Sequence, residues 1–123
     1  MKSELSRLLL AFRYAWEGVR FLFGNEPNAR IHLALTIAAV ALALWLGFSA
    51  IEWAILAVVI GVVFAAEAMN TAIEALTDLA SPDYHPRAKA AKDVAAAAVT
   101  ITAAMAVVVA LFLYLPRLAA LLR

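Results

Sequence analysis

Three long apolar runs constrain this chain more than any other feature. Ile31 to Phe48 is 18 residues whose one strongly polar member, His32, stands at its edge. Trp53 to Ala66 carries no charge and runs on in helical pattern through EAMNTAIEALTD, Glu67 to Asp78. Val94 to Leu115 is 22 uncharged residues. A bilayer core is spanned by about 20 residues of helix. The expected fold is therefore all-α and integral to a membrane, with transmembrane helices over about 29–48, 51–79 and 92–115. Short connections, Ser49 to Glu52 and Leu79 to Asp93, make successive spans antiparallel neighbours. SPDYHP supplies the turn residues of the second connection.

Composition agrees. Hydrophobic residues are 67% of the chain, against roughly 45–50% in soluble domains. The 123 residues suggest a single domain, 1–123. A net charge of +1 gives no reason to expect nucleic acid as a partner. Without cysteine there is no disulfide framework, thiolate nucleophile or cysteine metal site. The first apolar run, Leu8 to Phe12, is too short for a cleavable signal, so the chain is expected to be intact.

Orientation follows from Lys and Arg. Lys2, Arg7, Arg13, Arg20 and Arg30 precede the first span, and Arg87, Lys89 and Lys92 lie in the second loop. The other side has only Arg117 and Arg123, a balance of 8 against 2. The N-terminus and second loop should be cytoplasmic. That places the polar half of the second span on the side where ATP is found.

Residues 4–23 read as an amphipathic helix, with Leu5, Leu8, Leu9, Phe12, Trp16, Val19 and Phe23 on one stripe. Such a helix lies in the membrane interface, and its expected extent is about 4–25. Arg7, Tyr14 and Gly18 fall near one line on the other side. A cation, an aromatic face and a glycine gap suit a nucleotide; a solvated polar face would carry the same residues. On the third span, Ala95 to Ala98 and Ala103–Ala104 would let membrane helices approach closely.

The second span poses a problem of charge. Glu67, Asn70, Thr71, Glu74 and Asp78 share a helical sector of about 100°. A carboxylate at the bilayer centre costs about 2.5–3.5 kcal/mol on the mildest scale, and such residues mark functional sites. Asn70 and Thr71 alone would suit helix–helix hydrogen bonding. Three acids on one face would instead repel one another. Carboxylates bind hard divalent cations, and magnesium usually takes one or two of them together with phosphates. Glu74, and Glu26 at the edge of the first span, are candidate ligands. Glu67 lies about 10 Å deeper, badly placed for ATP in water and well placed for a lipid headgroup. A carboxyl out of water gains by taking a proton, which suits a general base.

Lys92 and Asp93 open the third span from the same side. A lysine there can offset phosphate charge in phosphoryl transfer, or simply snorkel at the membrane edge. Asp83, Tyr84 and His85 lie in the intervening loop, where a His before Pro is ordinarily a turn residue. The four glycines form no GxGxxG or Walker A motif, and HExxH and GxSxG are absent. A transporter subunit or small channel would also bury acids on one face, but gives Lys92, Asp93 and Tyr14 no role.

EAMNTAIEALTD followed by YHPRAKAAKD resembles the small prokaryotic diacylglycerol kinase family. The likeness begins at YAWEGVRFLFGNEPNARIH (14–32) and ends near YLPRL (114–118). It implies an integral membrane lipid kinase of the cell (plasma) membrane, unrelated to soluble kinases. It also implies a homotrimer of subunits with one surface helix and three transmembrane helices, with active sites between subunits and magnesium ATP as donor. By motif, Glu67 matches the general base and Asn70 its polar neighbour. Glu26 and Glu74 match the metal-linked carboxylates. Lys92 and Asp93 match phosphate and nucleotide contacts. Asp78, Asp83, Tyr84 and His85 match the nucleotide-side loop, and Arg7 and Tyr14 match N-terminal nucleotide contacts. Trp16, Arg20, Arg30 and His32 are expected on the lipid side with Glu67.

Within the family, the diacylglycerol kinases of proteobacteria are expected to carry an acid where this chain has His32. NARIH, IEW and HPRAKAAKD look instead like the Gram-positive branch, which is similar to undecaprenol kinase. The expected acceptor is therefore undecaprenol, with diacylglycerol as the alternative. Both headgroups offer one primary hydroxyl, so the base chemistry is the same.

Overall fold

The computed structural model describes residues 3–122 as four α-helices on short links: α1 Glu4–Asn25, α2 Pro27–Leu46, α3 Ala50–Ala80 and α4 Pro86–Leu121. The boundaries are written locally. Ser3 caps α1 by accepting from the Ser6 N–H at 3.3 Å. α1 ends because Pro27 holds Glu26 extended, and Pro27 then opens α2, where its missing N–H costs nothing. Arg30 fixes the corner: its Nε donates to Phe23 O at 2.8 Å and its Nη2 to Gly24 O. Those carbonyls would otherwise lack a helical partner.

At its other end α2 stops at a left-handed glycine, Gly47, with φ 65°. Gly47 N–H bonds to Leu44 O and Phe48 N–H to Ala43 O, the paired bonds of a Schellman motif. Ser49 and Glu52 then form a reciprocal capping box that starts α3. After α3, Ser81 Oγ donates to Asp83 O, and His85 Nδ1 accepts from Arg87 N–H to cap α4.

α2, α3 and α4 are each long and apolar enough to cross a membrane, and the chain is a multi-pass membrane protein. α2 ends before position 48 because of the Gly47 turn. α4 extends beyond 92–115 at both ends. Its start is set by the His85 cap and Pro86 rather than by where charge gives out, and it continues past Pro116, which forfeits one backbone donor.

α3 and α4 make the most extensive contact. The core, Ala43, Phe48, Leu56, Leu113 and Tyr114, lies at the end away from Glu67, Glu74 and Asp78. There Tyr114 Oη donates to Ala39 O at 2.7 Å, and its ring lies 4.8 Å from that of Phe48. Arg117 grips Glu52 with both Nε, at 3.0 Å, and Nη2. α1 joins the bundle by its last turns, through buried Leu22 and an edge contact of Phe23 with Phe64 at 5.5 Å. Leu5, Leu8, Leu9, Phe12 and Trp16 are left exposed.

Candidate active site

α3 carries the polar face into the membrane. Glu67 is 1% exposed, the one buried charged residue among those described. His32 of α2 brings Nε2 within 3.0 Å of Glu67 Oε1. The approach is close but not directed along a ring N–H, and Oε1 still lacks a formed hydrogen bond. Two neighbours share that condition: Asn70 Oδ1 and Thr71 Oγ1 are also buried without partners. Each of the three oxygens can accept a proton donor. A buried polar atom left unpaired is costly, so three together call for a donor.

Asn70 turns its amide toward the other end, with Nδ2 donating to Glu74 Oε1 at 3.1 Å. Glu74 is half-buried, as is Glu26 at the α1–α2 corner. Both lie within electrostatic reach of Glu67. One turn beyond Glu74, Asp78 pairs with Lys92 of α4, whose ammonium also feels Glu74. Glu67, Asn70, Glu74, Asp78, Lys92, Glu26 and His32 thus form one connected neighbourhood, built from three helices and a corner. No cluster of three or more side chains with metal-ligand chemistry occurs among the described residues.

The remaining expected site residues are more dispersed. Asp93 pairs with Lys89 one turn earlier on α4. Asp83 and Tyr84 are exposed in the loop, and His85 is committed to capping α4. Arg7 binds Glu4 on its own helix at 3.0 Å. Tyr14, Trp16 and Arg20 project from α1 exposed. Arg30 closes the α1–α2 corner. Gly18 lines a cavity of about 330 Å³ between α1 and α3, facing Thr71, Ala72 and Ala75. Thr71 was expected only on the shared face, as a helix–helix contact. Its burial and unpaired hydroxyl add it to the site, and the available signal was its place one turn after Glu67.

Comparison with known proteins identifies the family. The family model for prokaryotic diacylglycerol kinase matches residues 13–114. The chain belongs to the prokaryotic diacylglycerol kinase family. Every candidate residue except Arg7 falls within the matched stretch. An undecaprenol kinase of Bacillus subtilis strain 168 is 38% identical over 117 residues, 95% of each chain. A Synechocystis diacylglycerol kinase is 43% identical over 116 residues, 94% of this chain and 66% of that protein. The diacylglycerol kinase of Escherichia coli strain K12 is 35% identical over 106 residues, 86% of this chain and 87% of that one. As a member of the diacylglycerol kinase family, the chain is a lipid kinase.

Proposed function

We propose that this lipid kinase transfers the γ-phosphoryl group of ATP to the hydroxyl of undecaprenol, giving undecaprenyl phosphate and ADP. One observation carries the reading: a buried carboxylate beside two further unpartnered polar oxygens, within a membrane-spanning helix. An alcohol O–H entering from the lipid supplies the missing donor. Glu67 takes its proton as the alcohol oxygen bonds to the γ-phosphorus, and the bond from that phosphorus to the β–γ bridging oxygen breaks. Asn70, already bonded to Glu74, links the deep carboxylate to the phosphate end.

Glu26 and Glu74 are the residues that would hold Mg²⁺. Two carboxylates without a fuller cage suit an ion that arrives on phosphates and keeps its remaining positions for them and for water. Bound there, magnesium would neutralise phosphate charge. Lys92 exchanges Asp78 for the phosphates and offsets charge as the transfer proceeds. Asp78, Asp83, Tyr84, His85, Asp93, Tyr14 and Arg7 serve the nucleotide. Trp16, Arg20, Arg30 and His32 serve the lipid side.

The proposed setting is the cell (plasma) membrane, with the N-terminus and the ATP site cytoplasmic. The proposed assembly is a homotrimer with α1 amphipathic at the membrane surface. The extensive uncovered apolar surface of α1 to α4 supports both lipid and subunit contact.

Undecaprenol is favoured by His32 and by the end-to-end likeness to the Bacillus enzyme. Diacylglycerol is the second reading, favoured by the 43% identity to the Synechocystis protein. A phosphate-transfer assay on purified protein, with undecaprenol, a shorter polyprenol and diacylglycerol in the same detergent, decides between them. Polyprenols should be the better acceptors; a strong preference for diacylglycerol would overturn the assignment.

A further inference from the structure

We propose that His32 is a positioning residue that acts through Glu67, holding the carboxylate in its reactive orientation, rather than only a lipid contact. The inference rests on the reading of Glu67 as the base. Glu67 is too deeply buried to be held by water, and among the described residues the one side chain that reaches it is the imidazole, Nε2 to Oε1 at 3.0 Å. The groups acting on Glu67 electrostatically are His32, Glu26 and Glu74. Two are acids, so His32 alone among them can carry positive charge or lend the carboxylate an N–H. The nearby cations are otherwise occupied: Lys92 holds Asp78, and Arg30 holds the carbonyls that end α1.

The local fold explains why His32 meets Glu67. Pro27 and the Arg30 cap set where α2 begins, and therefore which way its second turn faces. His32 also stands at the head of an apolar groove of about 300 Å³ that runs past Leu35, Ala39 and Val63 to Tyr114. The imidazole therefore separates the groove from the carboxylate. An acid in its place would set a second negative charge against Glu67. A histidine instead offers a donor that can turn a buried carboxylate toward an incoming hydroxyl.

A double-mutant cycle tests the proposal, using His32→Leu, His32→Gln, Glu67→Gln and the His32→Leu/Glu67→Gln pair. His32→Leu should lower kcat by about 10²-fold, the scale of losing alignment at a reacting group, with the KM for ATP unchanged. His32→Gln keeps an N–H donor and should recover part of that loss. In the Glu67→Gln background, His32→Leu should have no further effect, because residues acting as a unit are not additive. Equal losses in both backgrounds, or a raised KM for lipid with unchanged kcat, would overturn the proposal. Full turnover by Glu67→Gln alone would instead remove the base assignment. A direct readout needs no turnover: the ¹⁵N resonance of His32 Nε2, assigned by its loss in His32→Gln, should move in Glu67→Gln. An unmoved resonance would show that the two side chains do not interact.

Discussion

Replacing Thr71 with valine separates a structural role from a functional one. Thr71 is 8% exposed, its hydroxyl has no hydrogen-bond partner, and it lines the cavity between α1 and α3. Burying an unpaired hydroxyl costs about 1–3 kcal/mol by protein mutational data. Valine has nearly the same shape, so it removes that cost without opening a void, and apolar replacement of an orphan group is neutral or stabilising. The variant should therefore gain about 1 kcal/mol of stability. If the hydroxyl helps to hold the lipid alcohol, one hydrogen bond of about 1 kcal/mol is lost there, a roughly fivefold fall in kcat/KM for lipid. The KM for ATP should not move. Reversible unfolding in mixed micelles gives the first quantity, and transfer assays with each substrate varied in turn give the second. A variant less stable by 1 kcal/mol or more would mean that the hydroxyl is satisfied in the assembled protein. A more stable variant with unchanged lipid kinetics would mean that the substrate does not use it.

Other changes probe the remaining parts. Glu67→Gln should lower kcat by about 10²–10⁴, the usual contribution of a general base, in protein that assembles normally. Glu74→Ala should raise the magnesium concentration needed for half-maximal rate by about tenfold, one lost ligand being worth at least 1.4 kcal/mol; an unchanged magnesium dependence would remove Glu74 from the metal set. Gly47→Ala should destabilise the protein by about 1–2 kcal/mol, because a Cβ disfavours the left-handed turn, while both KM values stay at wild type in a steady-state assay.

The spans were legible because a bilayer sets a length that apolar residues must fill, and α2, α3 and α4 meet it. The shared face of Glu67, Glu74 and Asp78 was legible too, since helical period alone fixes which residues look the same way. The ends were less so: Gly47 closes α2 through its backbone, and Pro86 with the His85 cap opens α4 inside charged sequence. What the sequence hid were partners across helices. Charge-pair rules reach only three or four residues along one helix. Arg117 meets Glu52 across 65 positions, and His32 and Lys92 find Glu67 and Asp78 on another helix. Lys92, expected to face phosphate, pairs with Asp78 across α3 and α4.

The distribution of satisfied and unsatisfied groups along the bundle follows from its surroundings. Lipid gives apolar helices little reason to associate, so packing and interhelical hydrogen bonds must hold them. Here Tyr114 on Ala39, Arg117 on Glu52 and the Phe48–Tyr114 contact tie the helices at the end away from Glu67, and Lys92 on Asp78 ties α4 to α3 at the opposite end. Between these ties, around Glu67, three buried oxygens lack donors and a carboxylate is held by one off-line imidazole. Had stability alone shaped this chain, the unpaired groups would be the first to be replaced by apolar residues. Their concentration beside Glu67, with no other buried side-chain oxygen or nitrogen left unpartnered among the described residues, is what a site requires if an alcohol must complete it.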